Sequence, residues 1–148
     1  MNILALDVAT HCGWASKNGS GVWDLSIKRD ESAGMRLIRF KAKLKEITEI
    51  EDVDLVVFER SAGFHKSAII VQAELHGVLK LFLEENDIEY RAFSAPEIKK
   101  HATGKGNANK KLMIEAAEQK WPHIDIIDDN QADALHMFDL ALKEYELV

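Results

Sequence analysis

The chain has 148 residues, 47% of them hydrophobic and 30% charged, with a formal net charge of −6 at pH 7. That length reads as one domain, residues 1–148, with one substantial core, and the balance is that of an ordinary soluble globular protein, which excludes fibrous and disordered classes. The apolar runs are too short to span a membrane, and the acidic charge argues against nonspecific DNA binding by the whole surface while leaving room for a local basic patch. The start of the chain lacks the basic region of a secretory signal. The single cysteine, Cys12, excludes an internal disulfide and argues against a Cys/His zinc site. A cytoplasmic location is the expectation.

In chain order, residues 2–8 read as a strand buried on both faces. Residues 12–17 and 21–27 read as two more, joined by a hairpin at Asn18-Gly19-Ser20-Gly21, where Asn-Gly would supply positive φ. Residues 31–50 switch to helical spacing through Met35, Leu37, Ile38, Leu44, Ile47 and Ile50, with Ser32 as the expected N-cap. Residues 53–58 form a β-branched strand that ends at Glu59. Residues 66–86 are helical with a broad apolar face, and Gly77 inside them is expected at a close packing contact. Residues 88–93 alternate as a strand. Ser94-Ala95-Pro96-Glu97 carries the signature of a helix start, and that helix should end near His101. A loop over 102–109, a helix over 109–120 stopped by Trp121-Pro122, and a last helix over 129–146 complete the chain. The fold class is therefore α/β: a five-stranded mixed sheet, an antiparallel meander plus two parallel strands reached by helical crossovers, flanked by helices.

The acids fall at particular places in that layout. Asp7 lies in the apolar run Ile3-Leu4-Ala5-Leu6-Asp7-Val8, and is either a turn-starting residue or a buried ligand. Glu59 ends the fourth strand. The carboxyl ends of adjacent parallel strands are where α/β sheets place their sites. Two carboxylates there repel each other, and a divalent cation relieves the repulsion; an oxygen-rich site suits magnesium or manganese. In Asp128-Asp129-Asn130-Gln131-Ala132-Asp133, spacings of three and four put Asn130 or Asp129 on the same helix face as Asp133. Asp128-Asp129 alone reads as an N-cap, but Asp133 lies a turn inside the helix. Acids gathered from such distant parts of a chain can hold two metal ions, an arrangement suited to phosphodiester hydrolysis.

With those residues in view the sequence resembles the RuvC-type Holliday-junction resolvases of the RNase H-like superfamily. Ile3 to Thr10 followed by Gly13-Trp14-Ala15, Val56-Val57-Phe58-Glu59, Ala73 to Val78, the basic loop from Lys99 to Lys110, and Gln131-Ala132-Asp133-Ala134-Leu135 carry the resemblance. The compact length and the Thr103-Gly104-Lys105-Gly106-Asn107-Ala108 loop resemble the phage-type branch more. The resemblance implies an RNase H-like fold and magnesium-dependent cleavage of four-way junctions and related branched DNA by a homodimer, in a bacterial or phage-infected cell; Mn²⁺ is the alternative ion. It makes Asp7, Glu59 and Asp133 metal ligands. The family usually has Asp or His three residues before the final Asp, where this chain has Asn130; Asp129 is the competing fourth ligand and the one favoured here.

Residues 99–111 hold five lysines and no acid. By composition alone they would be a solvated loop; the resemblance turns them toward phosphate contacts, which position DNA without reading its sequence. Lys99, Lys100, Lys105, Asn107 and Lys110 are the DNA-contact candidates, with Lys99 and Lys110 nearest the scissile phosphate and Lys110 counted with the catalytic set. Phe64, just after Glu59, either stacks on an unpaired base or packs in the core or a dimer contact. His101 is a candidate DNA contact, and Trp14 and Trp23 should pack within the meander. Two further readings stay open, an RNase H acting on RNA–DNA hybrids and a junction-binding module without catalysis. A sugar-kinase-like or actin-like ATPase would need a second Asp-Gly phosphate motif and a chain about twice as long.

Overall fold

The computed structural model describes residues 1–60 and 66–145, with side chains apart from those of 66–68. The elements are β1 (Ile3–Asp7), β2 (His11–Ser16), β3 (Gly19–Asp24), α1 (Gly34–Glu51), β4 (Leu55–Glu59), α2 (Lys66–Glu85), β5 (Glu89–Phe93), α3 (Ala95–Thr103), α4 (Lys110–Lys120) and α5 (Asp129–Glu144). The five strands form one sheet in the order β3-β2-β1-β4-β5. β1–β2 and β2–β3 pair antiparallel, β1–β4 and β4–β5 parallel. This is the mixed sheet expected from the sequence.

Strand alternation sorts the apolar residues into two cores. Leu4, Leu6, Val56 and Phe58 face α1 and α2, meeting Phe40 and Leu44 from one helix and Leu75 and Leu79 from the other. Ile3, Ala5, Leu55 and Val57 face the opposite side, where Ile98, Met113, Ala134, Leu135 and Met137 come from α3, α4 and α5. Each fully buried Leu contributes about 2 kcal/mol by leaving water. The same alternation places the next residue of each row, Asp7 and Glu59, on the α5 side. Leu6 pairs with Phe58 in register, so the two acids end adjacent parallel strands.

Local signals hold where they are strongest. Ser94 and Glu97 form a reciprocal capping box with Pro96 in the first turn of α3, and Asn109 caps α4 by accepting from the Leu112 amide at 2.9 Å. Five expectations need correction. The hairpin turn is Lys17-Asn18, because Ser16 already pairs with Gly19, and neither turn residue has positive φ. Gly19 and Gly21 instead make room for Trp14: a Cβ on Gly21 would lie 3.0 Å from the indole Nε1. Ser32 does not cap α1; Ala33 occupies that position, with no side-chain cap. Among the described residues Gly77 has no close packing contact, since a Cβ there would meet no atom of another element within 4 Å. Helix α3 runs on to Thr103, ending at Gly104 with φ 84°, a left-handed cap that glycine adopts freely. Finally, the last helix, expected to run to 146, ends at Glu144 with Tyr145 as its C-cap.

Candidate active site

Three elements carry the acids to one edge of the sheet: β1 brings Asp7, β4 brings Glu59, and the first turns of α5 bring Asp129 and Asp133. Asp7 pairs across the ladder with Gly13 of β2. A Cβ on Gly13 would lie 1.9 Å from the Asn130 carbonyl oxygen, so the start of α5 rests directly on the β2 backbone beside Asp7. Asp128 is the N-cap of α5 and accepts from the Gln131 amide at 2.9 Å. That role agrees with the capping reading of Asp128 and fixes where the helix begins, hence the direction in which Asp129 and Asp133 leave it.

The electrostatics show how closely the acids gather. Asp7 is 8% exposed. Its pKa is raised well above the ordinary carboxylate value by burial first, then by the charges of Asp133, Glu59 and Asp129, and by a hydrogen bond with Asp133. Asp133 is pushed up to about 7 by burial and by Glu59 and Asp129, while its hydrogen bond to Asp7 and the Lys99 charge oppose the rise. Glu59 is raised by burial, with Lys99 again opposing. The hydrogen bond between Asp7 and Asp133 requires a proton on one of them, which makes that carboxyl neutral and relieves part of the crowding. The donor set is all oxygen and fits a hard divalent cation. Among the described residues, no three His, Cys, Asp or Glu side chains are gathered tightly enough to hold one ion as they stand, so closure around a cation takes side-chain rotation.

A basic rim flanks the acids. Lys110 Nζ lies 3.7 Å from Asp129 Oδ2 with its own side chain 84% exposed, and Lys99 acts on both Glu59 and Asp133. Lys100, Lys105 and Asn107 are exposed farther along α3 and the loop after it. The Asn130 side-chain amide points at Asp128, 3.5 Å away. His101 is engaged inside the protein, donating from Nε2 to Asp139 Oδ2 at 2.6 Å beside Lys120, which binds the same oxygen. Phe64 lies outside the described residues.

No family model matches the chain. A 70-residue stretch, 47% of the chain, is 41% identical to the crossover junction endodeoxyribonuclease RuvC of Brachyspira hyodysenteriae and covers 42% of it. The protein of the same name from Gloeobacter violaceus is 29% identical over 101 residues, 68% of this chain and 58% of that one. The chain thus spans about half the length of the curated relatives it matches. Across nearly the whole fold, the chain superposes on Thermus thermophilus RuvC solved with a Holliday junction substrate, with a TM-score of 0.78 at 17% identity, covering 99% of this chain and 94% of that one. The chain has the RuvC fold.

Within this RuvC fold, several residues that set the acidic edge gave little sequence signal. Gly13 carried the one usable hint, since a glycine inside a strand marks close backbone approach. Gln131 is 2% exposed, and a lone glutamine at a helix start carries no sequence signal of burial. His76, on α2, sits 3.3 Å from the Glu59 carbonyl through Nε2 and 2.8 Å from the Gln72 carbonyl through Nδ1. It thereby ties the β4 end to the helix behind the sheet. Nothing in its spacing pointed there.

Proposed function

We propose that the chain is a divalent-metal-dependent endonuclease that hydrolyses phosphodiester bonds in four-way junctions and related branched DNA, with Mg²⁺ as the working ion and Mn²⁺ able to replace it. The observation that carries the reading is the gathering of Asp7, Glu59, Asp129 and Asp133 at the ends of β1 and β4 and the start of α5, where the other acids' charges raise Asp7 and Asp133. Structure alone gains nothing from four crowded acids, whereas a cation neutralises them. The names of the relatives supply the substrate class.

Asp7, Glu59 and Asp133 are the metal-holding carboxylates in this reading. Asp129 is the fourth, because its charge acts on both Asp7 and Asp133 while the Asn130 amide is turned to Asp128. When bound, divalent ions supply an activated water and stabilise the leaving oxygen. The protein places the carboxylates on two strand ends and one helix, whose backbones are fixed while the side chains rotate to close on the ion. Lys110 and Lys99 neutralise the substrate phosphate beside them, and Lys100, Lys105 and Asn107 extend the backbone contacts along the loop. The 148 residues act as one nuclease domain. A homodimer presents two such sites, and the exposed stripe Ile70, Ala73, Gly77 and Leu81 on α2 offers the surface for it.

The test is cleavage of a synthetic four-way junction, an RNA–DNA hybrid and linear duplex, with and without Mg²⁺. Junction cutting that needs Mg²⁺ is expected. Asp7→Asn and Asp129→Asn should each lower the rate about a thousand-fold, or some 4 kcal/mol of transition-state stabilisation, while sparing junction binding. Asn130→Ala should be milder. Preference for the hybrid would replace the reading with an RNase H, and cutting that ignores Mg²⁺ or Asp7 would overturn it.

A further inference from the structure

The start of α5 is held by one side chain more than helix capping requires. Gln131 is 2% exposed. Its Oε1 accepts from the Ile127 amide at 2.6 Å, closing the segment that leads into the helix. Its Nε2 donates to Ser20 Oγ of β3 at 3.1 Å, across a sequence separation of 111 residues. Its own amide donates to Asp128. Gln131 therefore joins the approach to α5, the helix cap and the meander at one buried point, and it sits between Asp129 and Asp133 in sequence. A buried amide is stable only when bonded, so the start of α5 has one seating relative to β3. Because Asn130 simultaneously rests on Gly13 of β2, the helix is fixed against β2 as well as β3.

We infer that Gln131, with Ser20 as its anchor, is a positioning residue that sets the spacing of Asp129 and Asp133 from Asp7 and thereby the affinity of the site for a divalent cation. The inference rests on the metal-site reading above. It departs from a purely structural role in one respect: loosening the link should weaken metal binding out of proportion to stability, because cation affinity depends on where the oxygens stand while the core beneath is untouched. Groups that orient the ligands of a metal site typically account for 10–100-fold in affinity.

The test is Mn²⁺ binding to the full chain by calorimetry, without DNA, well below the melting temperature of every variant. Gln131→Met keeps the volume and removes both side-chain hydrogen bonds; it should weaken Mn²⁺ binding about tenfold. Ser20→Ala removes only the anchor and should weaken it less, and Ser20→Thr should restore it. Thr48→Ala removes a buried hydroxyl bond to the Leu44 carbonyl on α1 and should lower stability without changing Mn²⁺ affinity. Should Gln131→Met fail to fold, the Ser20 pair decides. Unchanged affinity in Ser20→Ala and Gln131→Met, or an equal loss in Thr48→Ala, overturns the positioning role. Asp7→Asn separates the two levels: if it abolishes Mn²⁺ binding while the Gln131 and Ser20 variants do not weaken it, only the positioning role falls, and if wild type binds no Mn²⁺, the metal site itself falls and takes this role with it.

Discussion

Burial and neighbouring charge push Asp133 in the same direction, up to about 7 from an ordinary 3.8. A carboxylate raised in the folded state penalises folding once it ionises. Below about pH 3.8 both folded and unfolded chains are protonated there and nothing is lost; between about pH 3.8 and 7 the unfolded chain releases a proton that the folded chain keeps, so stability falls across that window and the loss is complete above it. Asp133→Asn keeps an amide able to hydrogen-bond Asp7 and removes the charge. We expect the metal-free variant to be more stable than wild type at pH 8, by on the order of 2 kcal/mol, with the difference vanishing near pH 4, as read from melting curves. Added Mg²⁺ should raise the melting temperature of wild type at pH 8 and leave the variant nearly unmoved. A variant less stable at pH 8 would show that the carboxylates are not in conflict. At this scale the candidate residues were partly legible. Asp7 stood out because a charge inside an apolar run is costly unless compensated, and Glu59 because it ends a strand parallel to that one. The sequence favoured Asp129 over Asn130 only narrowly, because one residue turns a side chain by about 100° around the helix and the direction depends on where Asp128 starts it.

Elements were legible where the deciding contacts are local. Ser94, Pro96 and Glu97 lie within one turn, and the helix they start is the one observed. Parallel pairing of β1, β4 and β5 followed from the helices that separate them. Where the deciding partner is distant, local rules gave way. Asn18-Gly19 has the chemistry of a positive-φ turn, but the Trp14 ring needs the space above Gly19 and Gly21, and the register shifts to suit it. Gly13 is the counterpart at the candidate site: its missing side chain lets α5 descend onto β2. Gly13→Ala would put a methyl group 1.9 Å from a backbone carbonyl, which no rotamer can relieve, so α5 must move outward. We expect a stability loss on the order of 3 kcal/mol and weaker Mn²⁺ binding than in wild type, measured by denaturant unfolding and calorimetry. An unchanged unfolding midpoint would mean that α5 does not bear on β2 in solution.

For the molecule as a whole, charge and apolar surface are unevenly laid out. The net charge of −6 coexists with an acid-free lysine segment over 99–111, placed on the α5 side of the sheet along with the carboxylates. On the other side α2 leaves Ile70 60% and Leu81 62% exposed, with Ile38 of α1 61% exposed beside them. Ile70, Ala73, Gly77 and Leu81 fall at spacings that share one helix face, and the small residues at its centre, with no neighbour over Gly77 among the described residues, would allow a second helix to come close. Such a stripe was visible in the sequence only as an overly broad apolar face; which part of it the core would cover depended on Leu75, Leu79 and Leu83 taking the inward positions. If two copies meet along this stripe, the acidic edges lie outside the contact and both stay open to DNA. Leu81→Asp places a charge in the contact without touching either core. Sedimentation at micromolar concentration should give twice the chain mass of 16.7 kDa for wild type and the single-chain mass for the variant. The variant should keep its Mn²⁺ affinity, because no acid of the site moves, and on a four-way junction it should leave single nicks where wild type cuts both strands together. A wild-type monomer, or a variant that remains dimeric, would remove α2 as the contact surface.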